Sequence, residues 1–152
     1  MKRYIYITLT IVSLLIISGC NNTIKTIDNY KIEEKSLDKE EKKMIVTINE
    51  KEYILNLESN DTTNSLIKIL PKELEMNELN GNEKYVYLDT KLPTNPYKPN
   101  KINAGDVMLY NDNCLVIFYK SFNTPYSYTK IGHIDNLKDL GKKNIVAKFE
   151  IK

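Results

Sequence analysis

The sequence predicts a mainly β fold: a small closed barrel of about eight short strands with one or two short helices. Short runs rich in Ile, Val, Leu and Tyr recur between stretches rich in Asn, Gly and Pro. Only one segment carries apolar residues at helical spacing over several turns. Closing that many short strands into a barrel removes the exposed edges that would otherwise recruit other chains.

The elements follow in order. Met44–Ile48 and Glu52–Leu57 are β-rich, with Asn49-Glu50-Lys51 between them, and read as an opening hairpin. Alternation puts Tyr53, Leu55 and Leu57 on one face. Asn60-Asp61 offers an N-cap, and Thr63, Leu66, Ile67 and Leu70 follow at helical spacing until Pro71. This helix is expected to cover one open end of the barrel. Leu74 and Met76 alternate with polar residues in a further strand, Leu79–Glu83 is turn-prone, and Tyr85–Leu88 is a strand. Residues 89–103 carry Pro93, Pro96 and Pro99 and read as one long loop. Val107–Tyr110 and Cys114–Tyr119 flank the turn Asn111-Asp-Asn113 as a hairpin. Ser121–Ser127 reads as a loop and Tyr128–Ile134 as a strand. Leu137 and Leu140 suggest a short helical turn closed by Gly141. In the last strand Ile145, Ala147, Phe149 and Ile151 share a face opposite Val146, Lys148 and Glu150.

The N-terminus reads as a targeting segment. Lys2 and Arg3 precede an apolar run from Tyr4 to Ile17, and Ile17-Ser-Gly-Cys20 closes it. An aliphatic residue, two small residues and a cysteine resemble the bacterial lipobox, so cleavage before Cys20 and lipidation of Cys20 are expected. Acyl chains anchor a protein at about 0.8 kcal/mol per buried methylene. The expected organisation is a signal peptide at 1–19, a lipidated Cys20 with a charged tether over 20–43, and the folded domain over 44–152. That places the domain on the extracytoplasmic face of the cell membrane. Fully extended, the tether would reach about 75 Å.

Composition removes several function classes. The chain has 22 basic and 20 acidic residues, and loss of 1–19 takes away only Lys2 and Arg3, leaving charge balance. No nucleic-acid partner is expected from such a surface. Arg3 is the only arginine, so a chain cut before Cys20 has no guanidinium. With Cys20 lipidated, Cys114 has no disulfide partner and reads as a small buried hydrophobe. His133, the only histidine, lies within a strand and lacks an evident nucleophile. Glu83, Asp89, Asp106 and Asp135 are scattered, without EF-hand spacing. No catalytic residue, metal site or cofactor is expected.

Five segments carry a family resemblance: Leu79-Asn-Gly-Asn-Glu-Lys-Tyr85, Leu92-Pro93, Ala104-Gly-Asp-Val-Met-Leu-Tyr110, Phe118-Tyr-Lys-Ser-Phe122 and Tyr126-Ser-Tyr-Thr-Lys-Ile-Gly132. Together they resemble a bacterial family of cyclophilin-like domains, over about Met44 to Ile151. The resemblance implies a compact cyclophilin-like β-barrel, smaller than true cyclophilins, and brings no established activity with it. True cyclophilins use an arginine in a hydrophobic groove to favour the twisted X–Pro bond, and no residue after Arg3 can take that role.

Aromatic side chains supply the candidate site. Tyr85, Tyr87, Tyr110, Phe118, Tyr119, Phe122, Tyr126 and Tyr128 crowd into residues 85–128. Some must be core, but tyrosines beside Asn and Ser also make recognition surfaces. A cleft is expected between Leu79–Tyr85 and Tyr119–Tyr128. Its candidate residues are Asn80, Asn82, Glu83, Tyr85, Tyr119, Ser121, Phe122, Tyr126 and Tyr128. The leading expectation is a membrane-tethered, monomeric binding module for a peptide or small molecule. The alternatives are a weak prolyl isomerase or small-molecule enzyme, and a structural accessory of another envelope protein.

Overall fold

The computed structural model describes residues 42–152. The expected signal segment, Cys20 and nearly all of the tether lie outside them. The described part is mainly β, with one short helix. Its strands are β1 (Lys43–Ile48), β2 (Lys51–Leu57), β3 (Lys72–Leu79), β4 (Glu83–Tyr87), β5 (Lys101–Ile102), β6 (Asp106–Tyr110), β7 (Cys114–Phe118), β8 (Phe122–Asn123), β9 (Thr129–Ile134) and β10 (Ile145–Ile151). Helix α1 spans Asp61–Lys68. Eight strands close in the order β1-β10-β3-β4-β7-β6-β9-β2, every neighbouring pair antiparallel, while β5 and β8 form a separate ribbon.

Alternation fills the barrel. Met44, Val46, Ile48, Leu55, Leu74, Met76, Val107, Leu109, Leu115, Ile117, Ile131, Ala147 and Phe149 are buried in one cluster. β6 and β7 have a second apolar face as well. Met108, Cys114, Val116 and Phe118 point the other way and pack with Ile102 and Tyr128, joined by the partly buried Phe122 of the ribbon. Burial on both faces explains why Cys114–Phe118 reads as an uninterrupted apolar run.

Helix α1 starts where Asn60 caps it, its side-chain oxygen accepting from Thr63 N at 2.9 Å. Asp61 in the first turn and Lys68 in the last complement the helix dipole. Leu66 enters the barrel core, and the buried Thr62 and Thr63 hydroxyls donate to the carbonyls of Pro93 and Ile131.

Four local expectations change. The stretches read as loops at 89–103 and 121–127 contribute β5 and β8, which pair through Lys101–Asn123 and Ile102–Phe122. They also meet through a bridge between Tyr97 and Tyr128. Two-residue strands leave no alternation to read. Leu137 to Gly141 forms no helical turn. Leu137 and Leu140 pack against the core from an irregular segment instead. Ile151 shares the parity of Phe149 but is exposed, because β10 ends there beyond the filled interior. The first strand begins at Lys43, and the Lys42 carbonyl already accepts from Leu57 N.

The seam between β2 and β9 depends on glycine. Gly132 pairs with Leu57 on one side and Val107 on the other. A Cβ at this position would lie 2.3 Å from the Asn56 carbonyl oxygen and 2.8 Å from Leu55 Cδ1. Gly132→Ala is therefore expected to destabilise the domain by about 2–3 kcal/mol. Urea unfolding checks this; an unchanged midpoint would mean that the seam has room to spare.

Candidate functional site

The site begins with strand parity on β4. Lys84 and Val86 pair with Ile117 and Leu115, whose side chains fill the barrel. Glu83, Tyr85 and Tyr87 therefore point to the outer face, opposite Phe118, Val116 and Cys114 of β7. Leu79, paired with Glu83 across the turn, shares that face. On the other side of β7, Tyr110 of β6 pairs with Cys114. Beyond the β5–β8 ribbon the chain adds Tyr126 and Tyr128.

These residues enclose a cleft of about 300 Å³ lined by Leu79, Asn80, Glu83, Tyr85, Tyr87, Tyr110, Cys114, Val116, Tyr126 and Tyr128. Strand order makes β7 its floor, with β4 along one side and β6 along the other. Tyr85 and Tyr87 meet edge-to-face with ring centres 5.9 Å apart. Tyr110 meets Tyr126 at 6.0 Å and Tyr128 at 5.6 Å. Tyr128 in turn stands at 90° to Phe118, 5.5 Å away. Such contacts hold the rings in place beyond simple burial, at about 0.5–1.5 kcal/mol each. Tyr87, Tyr126 and Leu79 are nevertheless 63%, 57% and 42% exposed. They are three of the seven large hydrophobic residues exposed among those described, and all three line this one cleft.

The electrostatics of the cleft are one-sided. Glu83 is the only charged side chain lining it. Partial burial, with the Glu78 carboxylate nearby, raises the Glu83 carboxyl above the usual range. Burial, and secondarily the Glu83 charge, pushes the Cys114 thiol up to about 11. Cys114 is thus protonated at neutral pH and is no nucleophile.

The structure distributes the nine candidate residues unevenly. Asn80, Glu83, Tyr85, Tyr126 and Tyr128 come together in the cleft. Tyr119 is buried outside it. Its hydroxyl donates to Glu78 at 3.3 Å, and its ring lies 4.8 Å beneath the Lys84 ammonium. Burial, reinforced by Glu78, pushes that phenol up to about 12. Asn82 serves through its backbone, its carbonyl accepting from Tyr119 and Lys120. Ser121 Oγ accepts from Ala104 N, and Phe122 packs on Phe118. Sequence reasoning passed over Leu79, Tyr87, Tyr110, Cys114 and Val116 as cleft residues. The parity of Tyr87 with Tyr85 was the available signal for one of them. Leu79 follows from its pairing with Glu83 across the predicted turn, and Tyr110, Cys114 and Val116 need β7 to lie beside β4.

The sequence profile of the cyclophilin-like family matches residues 46–150. The chain belongs to the cyclophilin-like family. No curated protein and no solved structure matches it significantly.

Elsewhere on this cyclophilin-like domain, the half-buried His133 lies between two carboxylates. Its Nδ1 lies 3.0 Å from Asp106 Oδ1 and its Nε2 3.7 Å from Asp135 Oδ1, so both ring nitrogens face carboxylates. Asp106 also accepts from Asn103 N. The pair buckles β9 to the start of β6. Among the described residues no three His, Cys, Asp or Glu side chains are grouped to hold a metal ion. A larger groove of about 560 Å³ on the outer wall of β1, β10 and β3 has no aromatic lining. It mixes Glu50, Glu73 and Glu75 with Lys148, as expected of a solvated barrel wall.

The tyrosine rim and the apolar floor should separate in mutagenesis. Tyr87→Ala and Tyr126→Ala are each expected to cost about 0.5–1.5 kcal/mol, the worth of the one ring contact each loses. Phe118→Ala, at a fully buried position, should cost about 3–5 kcal/mol. Chemical denaturation of the three variants is the check; equal losses would mean that the rim is core.

Proposed function

We propose that this protein is a lipid-anchored, extracytoplasmic cyclophilin-like binding module that holds a small ligand or a single side chain in the tyrosine cleft and does not isomerise prolyl bonds. The observation that carries the reading is the convergence of exposed Leu79, Tyr87 and Tyr126 on one cavity that also holds an acidic group. Exposed apolar residues gathered at one cavity, rather than scattered singly, are a mark of ligand-binding grooves. A cavity of about 300 Å³ lies at the small end of ligand sites, which favours a compact ligand over an extended peptide.

Chemistry argues against turnover. Prolyl isomerisation by a cyclophilin relies on a preorganised guanidinium, and no arginine follows Arg3. Lysine offers a point charge without the planar fork. The thiol in the cleft stays protonated. Anchoring rests on the lipobox-like Ile17-Ser-Gly-Cys20, with the segment from Asn21 serving as a spacer.

Two experiments test this reading. The full chain is assayed for isomerisation of a prolyl tetrapeptide, then titrated with a fragment library of amines, acids and neutral compounds. The peptide rate should stay at background, and bound fragments should be lost in Tyr126→Ala. Isomerisation several-fold above background, or no fragment sensitive to Tyr126, would overturn the binding-module reading. Separately, a labelled fatty acid fed to a bacterial host should be incorporated into the full chain and not into Cys20→Ser. Absence of label in the unmutated chain would overturn lipid anchoring.

A further inference from the structure

We propose that the tyrosine cleft recognises an organic ammonium ion, of the quaternary or alkyl type; this rests on the cleft being a ligand site.

The charge balance of the cavity calls for a cation. Its ten lining residues include one carboxylate and no Lys, Arg or His. Among the described residues, nothing donates a hydrogen bond to the Glu83 side chain or forms an ion pair with it. The charged neighbour that acts on it is another carboxylate, Glu78. Strand parity points the Glu83 side chain into the cavity, and its charge acts on Cys114 of the floor and Tyr128 of the wall as well as on Tyr119 outside the cleft. A partly desolvated carboxylate without a counter-charge destabilises the fold. A ligand bearing positive charge would remove that penalty.

The rings select which cation. Five tyrosines border the cavity, and an aromatic face carries negative quadrupole charge that attracts an ammonium within about 6 Å of the ring centre. Phenol and carboxylate together suit a soft, weakly hydrated ammonium better than a small metal ion. A metal ion would need several oxygen ligands at short range. The molecule already uses such contacts internally. The Lys84 ammonium lies 4.8 Å from the Tyr119 ring centre, and the Lys51 ammonium 4.9 Å from that of Tyr53. Strand alternation sends Lys84 to the opposite face from Glu83, so it cannot neutralise the cleft. Cys114 and Val116 complete an apolar floor beneath the site, which limits dielectric screening.

The pH dependence has a definite sign. The cation binds the ionised Glu83. Affinity should therefore be constant near neutrality and fall as pH drops through the Glu83 titration, which lies above the usual carboxylate range. Glu83→Gln should abolish this dependence. It should also leave the fold as stable as before or more so at neutral pH, because the penalty for burying the charge is removed.

The test titrates the full chain, in a detergent free of choline, with three probes followed by tyrosine fluorescence. Choline represents a free quaternary ammonium and N-acetyl-lysine methylamide a peptide side chain. 3,3-Dimethylbutan-1-ol is the neutral isostere of choline. At least one cation should bind about tenfold more tightly than the isostere, and Glu83→Gln should reduce that binding by about tenfold. Whichever of the two cations binds more tightly identifies the source of the ammonium group. Equal affinity for the isostere, or undiminished cation binding by Glu83→Gln, overturns the ammonium assignment and leaves a cleft for neutral ligands. Failure of both cations, while other fragments still compete at Tyr126, overturns it in the same way. Only failure of every probe together with the absence of any Tyr126-sensitive fragment would remove the cleft itself.

Discussion

Strand β7 is apolar on both faces, and the architecture follows from the need to bury both. Leu115 and Ile117 turn inward and are satisfied by closing the barrel around them. Cys114, Val116 and Phe118 turn outward and would meet water if the barrel stood alone. The β5–β8 ribbon covers the Phe118 end, with Ile102 and Phe122 packed against it. The Cys114 and Val116 end is left as the floor of a cavity, walled by tyrosines that combine an apolar body with a polar tip. The cleft is thus the uncovered remainder of a second core.

Two adjacent residues on β4 divide the polar work. Lys84 is fully buried, and its ammonium donates to the carbonyls of Gly141 at 2.6 Å and Lys143 at 2.8 Å while resting on Tyr119. Burial holds its pKa below the ordinary value, partly offset by Glu78 and Asp139. Those hydrogen bonds explain how an irregular segment between β9 and β10 stays seated on the barrel. Glu83, one residue earlier, faces outward with no such partners. A single strand therefore carries one charge whose needs the fold meets internally and one, Glu83, that faces the cleft with no ion pair among the described residues.

Much of the barrel was legible in the residues themselves. The opening hairpin, the Asn60 cap, the Leu79–Glu83 turn and the alternation of the last strand all rest on interactions within a few residues. Five of the nine candidate residues meet in the cleft because they lie on segments that flank β7 in space. Tyr119 was misplaced by one step of parity: Phe118 points outward, so the next residue turns away. The ribbon escaped notice because strands of two residues have no period. The segment at Leu137 escaped because Lys84, 57 positions distant from Gly141, holds it in place.

The sequence by itself determined most of the strand faces, the helix that follows Asn60 and its cap, the absence of a guanidinium beyond Arg3, and the family. Each is a matter of local chemistry or of pattern along the chain. Only the tertiary structure decided that β4 lies beside β7 of the β6–β7 hairpin, and so which tyrosines share a wall and which carboxylate they surround. Strand order in a closed barrel is set by pairing between distant segments, and no local preference encodes which distant edge a strand will meet.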